Sequence, residues 1–177
     1  VNILAGNLKP NLGRYENPPE WDEILKHYGG TELKSHFEKI KNKQLRASIK
    51  PQQVHHVAQA FDGTGKELME KYDERGVSRE LIKELGLENS MEQNLKELSG
   101  GELQRLAIAG VASKDTEFYF FDEPWSYNDE KKRKSVARVI QSLAKIGKSV
   151  MVVEHDLTLL DFLSDYIELL YGEPSAY

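Results

Sequence analysis

Three groups of residues in this 177-residue sequence are of types and spacings that suit the chemistry of a nucleoside triphosphate. A glycine-rich break opens a predicted helix in the run Leu98-Ser-Gly-Gly-Glu-Leu-Gln-Arg105, and the free N–H groups of such a break favour a phosphate. The acidic pair Asp122 and Glu123 follows one apolar stretch, and His155 follows another. Carboxylates in such a place suit a metal ion and an activated water. Their order and compact spacing predict part of a nucleotide triphosphatase.

Each group also has a purely structural interpretation. Ser99 and Glu102 satisfy a helix capping box, but the two glycines between them, Gly100 and Gly101, favour phosphate binding. An acidic pair can simply end a strand in a polar turn. The preceding apolar run instead favours the carboxyl edge of a sheet, where α/β proteins bind ligands. There Asp122 would hold Mg²⁺ and Glu123 would polarise the attacking water.

His155 likewise has a structural and a functional interpretation. A lone histidine is more often structural, but its position at the predicted end of a second strand, beside the acidic pair, favours a catalytic role.

A second glycine-rich run, Gly63-Thr-Gly-Lys66, is not a P-loop. That motif needs a Gly separated by four residues from its Gly-Lys pair and a Ser or Thr after the pair. Ala60 and Glu67 occupy those two positions here. The run is therefore predicted to be an ordinary turn, and the sequence contains no other P-loop candidate.

Hydrophobic spacing predicts the elements that position these residues. Apolar residues recur at helical spacing over 20–46 with a break at Gly29-Gly30, which predicts a helix–loop–helix. Residues 54–97 are mixed and helical, and Gly86 ends one of their helices. The alternation of strands and helices after residue 99 is typical of a parallel α/β layout. Predicted helices run from Ser99 to Val111, from Glu130 to Ile146 and from Asp156 to Leu163; predicted strands are Phe118–Phe121, Ser149–Val153 and Tyr166–Tyr171, the first two buried on both faces.

Composition narrows the function classes. The net charge of -5 argues against a protein that coats nucleic acid through its overall charge. The absence of cysteine excludes disulfides, thiolate metal sites and iron–sulfur ligation within these residues. No apolar run reaches membrane-span length, so a cytoplasmic protein without membrane contact is expected. The segment 20–50 is nevertheless basic, and a solvated helix face is the simplest account of its cations: Lys26, Lys34, Lys39, Lys41, Lys43, Arg46 and Lys50.

The chemistry-bearing residues resemble the motifs of the ATP-binding-cassette (ABC) superfamily. The octet is similar to the signature motif, Phe118–Glu123 to Walker B with its catalytic glutamate, and His155 to the switch histidine. The run Ser126-Tyr-Asn-Asp129 resembles the D-loop. In Lys50-Pro-Gln52, Gln52 is similar to the Q-loop glutamine, which helps to ligate Mg²⁺. The resemblance implies an α/β, parallel-sheet P-loop NTPase-like core with a helical subdomain and a helix–loop–helix insertion.

The sequence is more specifically similar to the first nucleotide-binding domain of the ABC-E family, the ribosome-recycling ATPases also called RNase L inhibitors. The resemblance includes Leu8-Lys-Pro-Asn-Leu-Gly-Arg-Tyr15, Pro19-Glu-Trp-Asp-Glu-Ile24 and Tyr171-Gly-Glu-Pro-Ser-Ala-Tyr177. It divides residues 1–177 into the insertion (20–50), a helical and signature subdomain (54–114) and the Walker B, D-loop and H-loop part of the core (115–177). In that family the insertion faces ribosomal RNA, which makes six of the cations of 20–50 candidates for phosphate contact: Lys26, Lys34, Lys39, Lys41, Lys43 and Arg46.

The resemblance also implies a mechanism and partners. Two cassettes close head to tail over two ATP molecules, so Ser99, Gly101 and Glu102 act in trans, while Gln52, Asp122, Glu123 and His155 serve their own domain's nucleotide. Asp129 contributes through the D-loop. The implied partners are the small ribosomal subunit and its RNA, release and initiation factors, and a second ABC domain of the same polypeptide. Iron–sulfur clusters belong to a family domain that is absent here.

Two interpretations from other classes stay open. One is an RNA- or protein-docking module in which nucleotide is incidental, and the other is the nucleotide-binding domain of an ABC transporter. The D-loop also departs from the family pattern, with Asn128 where Leu is usual and Trp125 where Ser is common. Because the sequence starts at Val1 as if within a helix and has no P-loop, we expect a fragment that binds ATP poorly and does not hydrolyse it.

Overall fold

The computed structural model describes residues 2–169. The first of them, residues 2–7, form turns rather than an α-helix. Their hydrogen bonds, from Asn7 N to Asn2 O and from Gly6 N to Ile3 O, are those of the motif that ends a helix at a left-handed residue. Gly6 is that residue, with φ at 78°. The turn that would close the predicted helix end is therefore present in the structure.

The helix–loop–helix consists of α1 (Trp21–His27) and α2 (Glu32–Lys41), separated by the predicted glycine break. Ile24 and Phe37 are buried between the two helices, and the ring of Phe37 lies 5.0 Å from that of Tyr28. His36 anchors the pair, because its Nε2 hydrogen-bonds the carbonyl of Leu4 at 2.7 Å. The ring of His36 also meets that of Phe118 at 6.0 Å. The insertion therefore packs at the end of the sheet where Phe118 begins its strand.

The described sheet has three parallel strands in the order β1 (Ala47–Lys50), β2 (Phe118–Asp122) and β3 (Ser149–Val153). Lys50 pairs with Phe121, and Asp122 pairs with Val153. Two of the strands were predicted. The strand β1 was not, and it takes residues 47–50 out of the segment that was predicted as the insertion.

The predicted burial of the strands is right for β2 and wrong for β3. Tyr119, Phe120 and Phe121 are buried, whereas Met151 and Val153 stay exposed. In β3 the exposed residues alternate with Val150 and Val152, which pack against the core, so only one face of this strand is covered within the described residues. The predicted strand Tyr166–Tyr171 is absent over 166–169, and its last two residues lie outside the described part of the chain.

Helices pack against the sheet and against one another. Apart from α1 and α2, they are α3 (His55–Ala60), α4 (Gly65–Tyr72), α5 (Ser78–Leu85), α6 (Gly100–Ala112), α7 (Glu130–Lys145) and α8 (Leu157–Leu163). The helix α6 contacts β1 and β2, and α7 contacts β3. Their apolar faces share one core with β2, which includes Leu103, Leu106, Ile108, Tyr119, Phe121, Val136, Val139, Ile140 and Leu143. Burial of such side chains is the main stabilising term of the fold.

Local chemistry explains where several of these helices begin and end. Thr64 caps α4 in a capping box with Glu67, so the run 63–66 begins a helix and the prediction of an ordinary turn is wrong. Gly86 ends α5 in the left-handed conformation, as predicted, with φ at 61°. Asp156 caps α8. None of the helices within residues 2–169 is both long and apolar enough to span a membrane.

Candidate active site

The structure brings three of the predicted site residues together at one carboxylate. Glu123 follows β2, and its Oε1 accepts a hydrogen bond from Nε2 of Gln52 at 2.9 Å. The same oxygen lies 2.9 Å from Nε2 of His155. The three residues come from the ends of β1, β2 and β3, because parallel strands bring their carboxyl ends to the same edge of a sheet.

The site is open to solvent. The side chain of Glu123 is 22% exposed and that of His155 is 82% exposed. Hydrogen bonds from Gln52 and then His155 lower the pKa of Glu123, and the nearby charge of Lys50 adds to that effect. Glu123 is therefore an anion at neutral pH, able to accept a hydrogen bond from a water molecule.

A buried cation lies beneath this carboxylate. Lys50 is the last residue of β1 and is fully buried, although the sequence interpretation counted it among the solvated cations of the insertion. Its Nζ donates to the carbonyl of Asp122 at 2.6 Å and to that of Glu123 at 3.4 Å. Burial lowers the pKa of Lys50 to about 8, while the charges of Asp122, Glu123 and Glu154 oppose that shift.

Magnesium fits the donor set at this edge of the sheet. Asp122 offers a carboxylate that is only half-buried, and Gln52 has an amide oxygen that its bond to Glu123 does not use. Mg²⁺ commonly takes one or two protein oxygens and completes its shell with water and phosphate oxygens. Across residues 2–169 no group of three or more His, Cys, Asp or Glu side chains could hold a metal. A site for magnesium here would therefore depend on water and phosphate ligands.

The signature turn is built as a capping box. The side chain of Ser99 accepts from the backbone N–H of Glu102, and the Glu102 carboxylate accepts from the backbone N–H of Ser99 at 3.0 Å. Ser90 also donates to that carboxylate, and its hydrogen bond, followed by that from Ser99, lowers the pKa of Glu102. Ser99 is exposed at the start of α6. The structural interpretation is thus confirmed, and the phosphate contact stays a prediction.

The second glycine of the octet is required by a close approach. A Cβ on Gly101 would lie 2.7 Å from the carbonyl oxygen of Tyr127, whereas one on Gly100 would meet only the ring of Tyr127 at 3.5 Å. Tyr127 itself has a left-handed backbone, with φ at 63°. The segment 126–129, predicted as the D-loop, therefore lies directly against the signature turn.

Two residues that depart from the family pattern have structural roles: Asn128 within that segment and Trp125 just before it. Asn128 is buried and accepts from a guanidinium nitrogen of Arg105 at 2.8 Å. Trp125 is buried, and its indole donates to the carbonyl of Arg133 at 3.1 Å. Asp129 caps α7 by accepting from the N–H of Lys132 at 2.8 Å, so its predicted contact with nucleotide would have to be made alongside this cap.

Three site-linked residues were missed by sequence reasoning: Lys50, Gln104 and Arg105. Gln104 is fully buried, and its Nε2 donates to the carbonyl of Glu123 at 2.8 Å. The sequence contained one signal for Gln104 and Arg105. They follow Leu103 in α6, a helix that is buried nearly all round, so polar side chains at these positions are buried as well. For Lys50 the signal was its place two residues before Gln52.

The predicted RNA-contact residues are all exposed, but three of the six bind carboxylates. Lys41 pairs with Asp22 and Lys34 with Glu38 within the insertion. Arg46 pairs with Glu74 of the helical subdomain. Over residues 2–169, Lys26, Lys39 and Lys43 form no such pair.

This arrangement brings the predicted Q-loop amide, the predicted Walker B carboxylate and the predicted switch histidine together at the edge of a parallel sheet, and it points to one class of protein. It is the class of ATP-binding-cassette ATPases. The model of the ABC transporter family matches residues 1–126, and the chain belongs to that family. Members of this family bind nucleotide and Mg²⁺.

Within the family the chain is similar over its whole length to E-type members. It is 47% identical to "ABC transporter E family member 1" of Arabidopsis thaliana, covering all of this chain and 29% of that protein. It is 45% identical to "Translation initiation factor RLI1" of Saccharomyces cerevisiae, covering 30% of that protein. The chain thus spans about a third of the length of these relatives.

A solved structure agrees with this assignment. The archaeal ribosome recycling factor aABCE1, in complex with the ribosomal stalk protein aP1, matches with a TM-score of 0.93 and 48% identity. The match covers 99% of this chain and 34% of that one. The predicted fold class, a P-loop NTPase-like ABC core, is therefore confirmed.

Proposed function

We propose that this chain is the nucleotide-responsive part of an ABC-E type ATPase that couples ATP binding and hydrolysis to ribosome recycling in the cytoplasm. The observation that carries the proposal is the meeting of Gln52, Glu123 and His155 at one carboxylate oxygen. The names of the relatives support the translation role, since they include initiation factors and a ribosome recycling factor.

The roles within the site follow from its chemistry. Asp122 and Gln52 would hold Mg²⁺, which when bound neutralises charge on the transferring phosphoryl group. The carboxylate of Glu123 accepts a hydrogen bond from the attacking water and orients it. His155 shares an oxygen of Glu123 and, being highly exposed, is free to reach a phosphate. Gln52 holds the same carboxylate oxygen through its Nε2.

The signature turn would serve a different nucleotide. Ser99 is exposed at the start of α6, while Gly100 and Gly101 lie against Tyr127, so a second cassette would approach the turn at Ser99. Glu102 keeps the turn in shape through its capping bonds. Asp129, at the D-loop, would lie at the same junction. We propose that these residues cap the triphosphate bound by the partner cassette.

The 177 residues alone are proposed to bind ATP weakly and not to hydrolyse it. The reason is that they contain no Gly-x-x-x-x-Gly-Lys-Ser/Thr run, whose N–H groups and lysine cradle the β- and γ-phosphates. The helical subdomain and the Walker B part would therefore need a P-loop from elsewhere. Turnover by this chain alone that Glu123→Gln abolishes would contradict this part of the proposal.

The insertion is proposed to contact ribosomal RNA through its unpaired lysines. Lys26, Lys39 and Lys43 are exposed and lie at or near the ends of α1 and α2. The paired cations Lys34, Lys41 and Arg46 could exchange their carboxylates for phosphate, because exposed ion pairs contribute little. The insertion packs at the opposite end of β2 from Asp122, so RNA and nucleotide could be bound together.

The full-length protein tests the ATPase role. We expect Glu123→Gln to lower ATP turnover by about 100-fold or more, since it removes the group that orients and polarises water. The matched control is Glu80→Gln, an exposed glutamate of α5, which should leave turnover unchanged. Equal turnover in the two variants would contradict the proposal.

Co-sedimentation with ribosomes tests the RNA contact and separates the ATPase from a docking module. Changing Lys26, Lys39 and Lys43 to Gln should weaken binding and reduce the slope of log affinity against log salt by about 0.7–0.9 per lost phosphate contact. The control changes three exposed lysines of α7 to Gln: Lys131, Lys134 and Lys145. Ribosome binding that is equally strong with and without ATP would instead favour the docking module.

A further inference from the structure

Glu123 has a backbone conformation that its surroundings must impose. Its φ is 44°, in the left-handed region that residues with a Cβ rarely adopt. A residue persists there only where neighbouring groups hold it, and such residues concentrate at functional sites. The conformation matters because it turns the chain just after β2, at the residue whose carboxylate meets Gln52 and His155.

The main-chain polar groups of Glu123 are held from three different elements. Its N–H donates to the carbonyl of Val153 in β3 at 3.0 Å. Its carbonyl accepts from Nε2 of Gln104 in α6 at 2.8 Å and from Nζ of Lys50 in β1 at 3.4 Å. Lys50 also donates to the preceding carbonyl, that of Asp122, at 2.6 Å.

Both side-chain donors are fully buried. A buried ammonium group is costly, and an apolar side chain of similar shape would often serve folding better. Gln104 is also costly to bury, because within residues 2–169 its buried Oε1 has no hydrogen-bond partner, while its Nε2 donates to the carbonyl of Glu123. Packing alone therefore does not explain either residue.

We infer that Lys50 and Gln104 are positioning residues, which hold the main chain of Glu123 so that its carboxylate lies between Gln52 and His155. The inference rests on the proposed ATPase function and adds two residues to its machinery. Lys50 holds the carbonyl of Asp122 and, at a longer distance, that of Glu123, while Gln104 holds the carbonyl of Glu123 from α6. Because both side chains are fully buried, we expect neither to contact nucleotide.

The test measures ATP hydrolysis by the full-length protein with Lys50→Met and, separately, Gln104→Leu. Each change removes a donor while keeping most of the side-chain volume. We expect kcat to fall by about 10- to 100-fold, the loss typical of a misplaced catalytic group, while the KM for ATP stays within about two-fold. The melting temperature of Lys50→Met should be unchanged or higher, because a buried charge is lost.

A purely structural role gives a different pattern. If turnover falls only in step with a lower melting temperature in both variants, the two residues are ordinary core and the inference is overturned. A second readout adds Lys50→Met to Glu123→Ala. If Lys50 acts through Glu123, the residual rate of Glu123→Ala falls no further, whereas a further loss would contradict the inference.

Failure of the inference can be distinguished from failure of the proposed function. If Glu123→Gln leaves ATP turnover unchanged, the ATPase role of this site is wrong and the inference falls with it. If Glu123→Gln abolishes turnover but Lys50→Met and Gln104→Leu keep normal kcat, the site stands and only the positioning roles are wrong.

Discussion

The contact between Asn128 and Arg105 provides the sharpest stability test of the fold around the site. Both residues are buried, and a guanidinium nitrogen of Arg105 donates to the Asn128 side chain at 2.8 Å. Burial lowers the pKa of Arg105, while Glu102 and Asp129 oppose that shift. The Nε of Arg105 has no hydrogen-bond partner within residues 2–169. The bond to Asn128 is therefore a main support of this buried cation.

The change Asn128→Leu removes that support and restores the residue that the ABC resemblance leads one to expect. A hydrogen bond to a charged group contributes about 1.5–3 kcal/mol, and the partner left behind here cannot reach water freely. We expect the free energy of unfolding to fall by about 2–3 kcal/mol. Asn128→Asp keeps the acceptor oxygen, so its loss should be less than about 1 kcal/mol.

Urea denaturation at pH 7 measures both variants, with the midpoint and slope fitted for each. The double variant Arg105→Met/Asn128→Leu completes a cycle, and its loss should be smaller than the sum of the single losses by about 1.5 kcal/mol or more. An unfolding free energy of Asn128→Leu within about 0.5 kcal/mol of the parent would refute the reasoning, because it would mean that Arg105 finds another partner.

Two further predictions concern a close contact and an acid-sensitive carboxylate. Gly101→Ala should lower the free energy of unfolding by about 1–3 kcal/mol, because its Cβ would lie 2.7 Å from the Tyr127 carbonyl oxygen. Gly100→Ala, with only an ordinary contact at 3.5 Å, is the control and should be neutral or slightly stabilising by urea denaturation. Burial tends to raise the pKa of Asp73, but hydrogen bonds led by those of Ser78 outweigh it and lower the pKa below 3.8. A carboxyl group whose pKa is lowered by folding stabilises the fold at pH values above its pKa in the unfolded chain. Asp73→Asn should therefore lower the free energy of unfolding by about 1–3 kcal/mol at pH 7. The difference in unfolding free energy between Asp73→Asn and the parent, measured by urea titration, should shrink as the pH falls below 3.8. A difference that does not change with pH would contradict the lowered pKa of Asp73.

The sequence was sufficient for the elements whose determinants are local. Capping residues and hydrophobic spacing predicted α6, α7 and α8 within one or two residues at each end. The apolar runs predicted β2 and β3. The helix–loop–helix was predicted from the helical spacing of its apolar residues and from its glycine break. Each of these features depends on residues a few positions apart, so the pattern is visible without knowing the fold.

The parts that could not be predicted depend on contacts between distant residues. Lys50 looked like one more cation of a basic segment, and only the pairing of Ala47–Lys50 with β2 buries it. The exposure of Met151 and Val153 depends on whether another element covers their face of β3, and the sequence of β3 contains no such information. Likewise, the structural role of Asn128 depends on Arg105, which lies 23 positions away in the sequence.

Three contacts join α6 to the segment that carries Glu123, the proposed catalytic residue. Gly101 lies against the Tyr127 backbone, Arg105 binds Asn128, and Gln104 binds the carbonyl of Glu123. Closely packed groups with buried hydrogen bonds move together, because separating them leaves polar atoms unpaired. A second cassette that pressed on the start of α6 would therefore shift the peptide of Glu123 as well. In such a dimer, contact made in trans at one nucleotide would adjust the carboxylate that serves the other.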